Sequence, residues 1–250
     1  MNLCILIPFY NHPRAIAAVV ASVENLGLPC RIVDDGSDEA SRAVLADICA
    51  RRPWVSVQRL PVNRGKGAAV MAGCDAALAA GFTHALQIDA DGQHDVATLP
   101  VLIEQARRHP AAMITGQAVY DDSVPRARQY GRYLTHVWVW INTLSFEIRD
   151  SMCGLRVYPL AAAAQVWHRY RVGERMDFDT EILVRLSWAG TRVINVPTPV
   201  RYPSDGVSHF RMFRDNLFIS RMHTRLFFGM LWRLPRLLGM RLARRRQVLA

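Results

Sequence analysis

Residues 85–95 read ALQIDADGQHD. A short apolar run, Ala85 to Ile88, meets two aspartates one residue apart, Asp89 and Asp91, then Gly92 and a third acid, Asp95. A run this short, closed by a turn, reads as a buried strand. The two side chains of its D-x-D can converge on one hard cation and leave coordination positions for substrate phosphates. Aspartates also populate turns because they tolerate unusual backbone angles, so the stretch alone admits either reading. An EF-hand loop does not fit: glycine stands fourth rather than sixth, and position twelve is Pro100 rather than glutamate.

Working outward, three more strand-like runs carry polar punctuation. Leu3 to Pro8 runs into PFYN (8–11), Arg31 to Asp34 into DDGS (34–37), and Val55 to Gln58 precedes NRGKGAA (63–69). Helical spacing covers 13–26, 38–51, 64–80 and 99–108, and a further strand is expected over 112–116. This alternation predicts an α/β fold with a mostly parallel sheet and helices on both faces. Ligands bind such sheets beyond the carboxyl ends of the strands, where PFYN, DDGS and DADG fall. The second part is less regular. It reads as a long helix over 126–146 with aromatics Tyr130, Tyr133, Trp138 and Trp140, then a loop and short strand over 150–159. A helix over 179–189, closed by Gly190, and a strand over 192–202 broken by Pro197 and Pro199 come next. A basic amphipathic tail completes it.

The 250 residues suit one domain with its own core, and no internal repeat is present. The net charge is +10 and uneven: from Arg201 to Ala250 eleven Arg face two Asp. Such a tail suits an anionic membrane surface or a nucleic acid. The chain holds one lysine, Lys66. Five cysteines without a C-x-x-C spacing suggest neither a disulfide framework nor a zinc site, and point to a reducing compartment. The N-terminus lacks the charged region of a signal peptide, and no apolar run reaches the roughly 18 residues of a membrane span.

The smaller motifs stay ambiguous one by one. Asp34 and Asp35 can accept hydrogen bonds from a nucleobase or ribose, or one of them, or Ser37, can cap the next helix. NRGKGAA can turn backbone N–H groups toward an anion, but it is neither a Walker A loop nor a G-x-G-x-x-G. Asp177, Asp179 and Glu181 can act as a base or simply favour a helix N-terminus. Arg126, Arg128 and Arg132 can clamp a phosphate or form a solvated face.

Together, IPFYN (7–11), VDDGS (33–37), NRGKGAA, DADGQH, the D-x-x-x-G-x-R of Asp150, Gly154 and Arg156, FDTEIL (178–183) and VPTPVRY (196–202) resemble family 2 glycosyltransferases of the GT-A fold. The likeness is greatest to the polyprenyl-phosphate, dolichol-phosphate mannose synthase-like sugar transferases. It implies a GT-A domain over 1–210, with a nucleotide-sugar half (1–116) and an acceptor half (117–210), and a membrane-associated tail over 211–250. It implies a nucleotide-diphosphate sugar donor, UDP- or GDP-linked, with Pro8, Tyr10, Asp34 and Asp35 on the nucleoside and Lys66 and Asp89 on the donor side. Mg²⁺ or Mn²⁺ would be held by Asp89 and Asp91 with Gln93. Asp91, Asp179 and Glu181 would be catalytic, transfer would be inverting, and the acceptor would be a lipid phosphate met by Arg126, Arg128, Arg132, Arg156 and His209. The enzyme would then work in the cytoplasm, peripherally at the inner membrane face, with no nucleic-acid partner. One departure stands out: the relatives' R-x-x-G-x-S-K reads Pro203 to His209 here, with Pro203 and His209 at the arginine and lysine positions. Alternatives are a nucleotidyltransferase acting on sugar phosphates, transfer to a non-lipid hydroxyl, or a non-catalytic membrane or nucleic-acid binder. PFYNHPR lacks the glycine-rich loop that a nucleotidyltransferase usually has after its first strand.

Overall fold

The first strand shows how the sheet is built. β1 (Leu3–Phe9) is buried along its whole length. Its side chains alternate between two cores: Leu3, Ile5, Ile7 and Phe9 enter one, Cys4 and Leu6 the other. A strand buried on both faces belongs inside a helix-covered sheet. In the computed structural model, which describes residues 1–119, 126–200 and 212–249 and side chains over 1–119, 131–200 and 214–243, β1 is the third of seven strands. The others are β2 (Cys30–Asp34), β3 (Val55–Arg59), β4 (His84–Gln87), β5 (Met113–Val119), β6 (Arg156–Pro159) and β7 (Val193–Pro199). Their order is β3-β2-β1-β4-β6-β5-β7, parallel except for β6, which runs against both neighbours.

Helices α1 (Pro13–Val23), α2 (Glu39–Arg51) and α4 (Leu99–Arg108) close one core. The other core takes side chains from α3 (Lys66–Ala79), α5 (Arg126–Thr143), α6 (Leu160–Arg169), α7 (Phe178–Ala189) and α8 (Met212–Leu249). Local chemistry sets the boundaries. Pro13 opens α1, where its missing N–H costs nothing. Asp38 caps α2 by accepting the Ser41 N–H at 2.8 Å, so the cap is none of Asp34, Asp35 and Ser37. Asp95 caps the 3-10 turn Val96–Thr98 that leads into α4.

Two elements differ from the sequence reading. α6 has no counterpart in it; the helix starts directly after β6, with Pro159 as its N-cap residue and no side-chain cap bond. β7 is continuous through Pro197 and Pro199, because it pairs with β5 alone and an edge strand can spare N–H donors. The tail is a long helix that packs: Met222, Leu226, Met230 and Leu237 of α8 lie in the same core as α6 and α7. Its opposite side exposes Leu217, Phe228, Trp232 and Leu242. Among the described residues, no helix is long and apolar enough to cross a membrane.

Candidate active site at the strand ends

The carboxyl ends of β2, β1 and β4 are neighbours in the sheet, which brings DDGS, PFYN and DADG side by side. Asn11, in the left-handed region at φ 51, links the first two. Its N–H donates to Ser37 Oγ at 3.1 Å, and its Oδ1 accepts the Asp38 N–H at 3.0 Å. Pro8 lies within β1 opposite Val33, and Tyr10 is half-buried beyond the strand end.

Both acids of DDGS are engaged inside the protein. Asp34 accepts the Ser37 N–H at 2.9 Å and pairs with Arg59. Asp35 accepts the Arg64 N–H at 2.8 Å, the Gly65 N–H at 2.7 Å and Asn63 Nδ2 at 3.0 Å. Burial pushes its carboxyl up, and the two backbone donors oppose the shift. The N–H groups expected to face an anion at Arg64 and Gly65 are thus taken by Asp35. The loop instead delivers the Lys66 side chain, from the first position of α3.

Lys66 is the hinge of the site. Its Nζ sits 2.9 Å from Asp89 and 2.9 Å from Asp179 Oδ2. Burial disfavours its charge, but the two carboxylates outweigh burial and hold the ammonium well above its ordinary pKa. Burial likewise opposes the charge on Asp89, yet Lys66 and the His94 imidazole, 3.6 Å away, keep that carboxyl well below its usual range. Gln87, two residues earlier and so on the same strand face, donates Nε2 to Asp89 Oδ1 at 3.1 Å. Gly154 backs the other side: a Cβ there would collide with the Asp89 carboxylate.

Asp91 accepts the Gln93 N–H at 3.0 Å. Burial, then the charge of Asp89, pushes its carboxyl up. Asp89, Asp91, Gln93, His94, Gly154 and Arg132 share the wall of one cavity of about 130 Å³. Two carboxylates that repel each other at the lip of a polar cavity suit a hard divalent cation, which takes one or two carboxylates plus phosphate oxygens and water. Among the described residues no group of three or more His, Cys, Asp or Glu is arranged to hold a metal, so the remaining ligands would come from substrate and solvent.

The acceptor-side candidates separate. Arg132 reaches the cavity, its guanidinium fixed by Asp150 at 2.9 and 3.0 Å. Asp150 also accepts N–H groups of Ala118, Met152 and Cys153. Arg156, expected on the acceptor, is fully buried instead. It donates to the carbonyls of Cys153 at 2.8 Å and Ser151 at 2.9 Å and lies 3.3 Å from Asp179 Oδ1, so it braces the site from beneath. Glu181, expected beside Asp179, points into a network with Arg185 and Arg225 and is not brought to the cavity. Asp177 precedes α7 without a side-chain cap bond. The side chains of Arg126 and Arg128, and His209 with the whole 203–209 stretch, lie outside the described residues. His94, Gln87 and Gly154 were given no role from the sequence. The signal for Gln87 was its place two residues before Asp89, and that for Gly154 its place in the D-x-x-x-G-x-R motif.

A mostly parallel sheet with a carboxylate-lined cavity beyond its strand ends is the frame of this chain, and solved structures that share the fold are GT-A glycosyltransferases. Residues 4–163 match the model of Glycosyl transferase family 2, and the chain belongs to that family. A polyprenol monophosphomannose synthase of Mycolicibacterium smegmatis is 30% identical over 218 residues, covering 82% of this chain and 79% of the relative. A dolichyl-phosphate β-glucosyltransferase of Trichomonas vaginalis is 26% identical over 172 residues. That match covers 66% of this chain and 52% of the relative, so the chain spans about half of that protein's length. Among solved structures, glucosyl-3-phosphoglycerate synthase from Mycobacterium tuberculosis, in complex with Mn²⁺ and UDP-glucose, superposes with a TM-score of 0.64 at 14% identity. It covers 92% of this chain and 78% of its own.

Proposed function

We propose that the protein transfers a sugar, with inversion, from a nucleoside-diphosphate sugar to a lipid phosphate at a membrane surface. The observation that carries this reading is the cavity joining Asp89, Asp91 and Gln93 on one side to Arg132 on the other. Asp89 and Asp91, with Gln93, would hold Mg²⁺ or Mn²⁺, whose role is to neutralise charge building on the departing diphosphate. Lys66 adds a fixed positive charge behind Asp89, and Asp35 keeps the loop that carries Lys66 in place. The nucleoside belongs near Pro8, Tyr10 and the DDGS turn. In the transfer, an acceptor oxygen forms a bond to the anomeric carbon while the bond to the diphosphate oxygen breaks, and the nucleoside diphosphate leaves with the electron pair. A lipid phosphate is already anionic, so its attack needs no proton acceptor. That suits a site in which Asp179 faces Lys66 and Arg156 and does not line the cavity. Arg132, pre-oriented by Asp150, is placed for the acceptor phosphate. The polyprenol and dolichyl relatives and the exposed apolar face of α8 support a lipid acceptor and a peripheral position at the inner, cytoplasmic face.

The test is a thermal-shift screen of UDP-, GDP- and other nucleotide sugars with and without Mn²⁺. Ligand at a hundredfold excess over its Kd stabilises the fold by about 2.7 kcal/mol. A metal-dependent shift with one nucleotide class, abolished in Asp91→Ala, is expected. A shift that survives in Asp91→Ala would remove the metal assignment, and a flat panel would remove the donor. Radiolabel transfer to polyprenyl phosphate against 3-phosphoglycerate then separates a lipid phosphate from a soluble one.

A further inference from the structure

Glu181 of α7 is fully buried and ties three elements together. Its Oε2 accepts the Gly173 N–H at 2.9 Å and the Arg225 guanidinium of α8 at 2.6 Å. Its Oε1 accepts Arg185 at 2.7 Å. Gly173 begins a segment pressed against the lysine loop. The Glu174 carbonyl accepts the Ala68 N–H at 3.1 Å, and Arg175 donates to Asn63 Oδ1 at 3.2 Å. There is no slack in this seat. A Cβ on Gly65 would stand 2.5 Å from the Glu174 carbonyl oxygen, and one on Gly67 2.9 Å from that of Gly173. Lys66 rises between those two glycines to meet Asp89 and Asp179.

The other end of this chain of contacts is the face of α8 away from the core. At about 3.6 residues per turn, Arg214, Arg221, Arg225 and Arg236 fall on one exposed stripe, with Trp232 among them. The exposed apolar stripe of Leu217, Phe228, Leu231 and Leu242 runs beside it. Arg225 is therefore a member of the basic stripe whose guanidinium also reaches a buried carboxylate.

We infer that Arg225 is a positioning residue for the donor side: through Glu181 it holds residues 173–175 on the lysine loop, so the seat of α8 sets where Lys66 stands. The inference rests on the donor role proposed above for Lys66. Arg225 is half-exposed, but its partner Glu181 is fully buried, so water and salt screen the pair less than they screen a surface pair. The link joins the outward helix to the lysine loop.

The experiment compares Arg225→Ala, Arg225→Lys and, as a control on the same stripe, Arg221→Ala, in the full chain. Steady-state kinetics with the nucleotide sugar found in the screen gives KM and kcat; amide hydrogen exchange without ligand reads Gly173 and Ala68. Arg225→Ala should raise the donor KM about tenfold with kcat within about twofold, and speed exchange at both amides. Arg225→Lys should restore most of the loss, and Arg221→Ala should keep the parent protein's donor KM and its exchange rates at Gly173 and Ala68. Unchanged exchange at Gly173 and Ala68, or a fall in kcat at unchanged donor KM, overturns the inference. If Arg225→Ala does not fold, Arg225→Gln carries the same measurements. If the parent protein turns over no nucleotide sugar, the proposed function fails and the exchange data alone decide the link.

Discussion

Residues 1–119 and the rest of the chain hold their charges differently. In the first, carboxylates are satisfied largely by backbone N–H groups of turns and loops: Asp34 by the Ser37 N–H, Asp35 by the Arg64 and Gly65 N–H groups, Asp91 by the Gln93 N–H. In the second, charged side chains reach across elements: Asp150 to Arg132 on α5, Glu181 to Arg225 on α8, and Arg241 to Glu147 and the Thr143 carbonyl. Of these acids Asp91 faces the cavity, whereas Asp34 and Asp35 are buried. Of the cross-element pairs, Arg132–Asp150 reaches the same cavity, whereas Glu181–Arg225 and Glu147–Arg241 tie helices together away from it. In residues 1–119 the charged groups thus gather on loops at the strand ends, whereas in the rest of the chain most of them join helices.

The largest expected effect lies at Asp89. Asp89→Ala should lower kcat/KM by about a thousandfold, the scale of losing a preorganised electrostatic group, and should also lower the melting temperature, because buried Lys66 loses one of its two carboxylate partners. Gly154→Ala should reproduce much of that loss without removing a charge, because the added Cβ collides with the Asp89 carboxylate. It should also cost about 1–3 kcal/mol of stability through overpacking, read from urea unfolding. An active Gly154→Ala would show that Asp89 can shift and still work, and would break the claim that Asp89 is rigidly placed.

This contrast also sets what the sequence could reveal. The spacing of apolar residues reports burial and period, so β1 to β4 and α1 to α4 were legible within a few residues, as were the strand-end motifs. Periodicity says nothing of partners. Arg156 reads as an acceptor ligand only through the D-x-x-x-G-x-R motif of the resemblance, yet Asp179, Cys153 and Ser151 hold it where no solvent reaches. Glu181 reads as a candidate base through the FDTEIL motif; Arg225, which claims it, is far along the chain. α6 carries no capping residue, so nothing in its sequence announced a start. The prolines of β7 argued for a break only until the strand proved to lie at an edge.

Acid should loosen the fold at its buried histidines. His223 of α8 is buried against Asn142 and Trp138, and burial pushes its pKa down to about 4. An unfolded histidine titrates near 6.5, so between those values the unfolded state binds the extra proton and stability falls as pH falls. The contribution is fully present above pH ~6.5 and is lost toward pH 4, up to about 3 kcal/mol. Asp89 is shifted the other way, below its usual carboxylate range, so its contribution persists until the pH drops beneath about 3.9. Amide exchange at pH 5 against pH 7.5 should therefore show α5 and α8 losing protection around His223, and β4 around His84, whose pKa burial also lowers. In His223→Leu the difference in urea midpoint between these pH values should shrink; an unchanged difference would place the acid sensitivity elsewhere.

The smallest effect on the fold is expected at Trp232, the most exposed of the large apolar side chains at 87%. Surface substitutions remote from special features typically change stability by less than about 0.5 kcal/mol, so Trp232→Ser should melt with the parent protein. Leu226→Ala, six residues earlier but on the buried face, should cost about 2–5 kcal/mol. Vesicle flotation gives the opposite ranking. Tryptophan favours the water–lipid boundary, and arginines beside it are drawn to an anionic surface. Trp232→Ser should weaken binding to vesicles containing phosphatidylglycerol, and added salt should weaken it further. If Trp232→Ser floats like the parent protein, the outer stripe of α8 does not meet lipid. The helix would then serve the fold through its buried face alone, and the exposed apolar residues would need another partner.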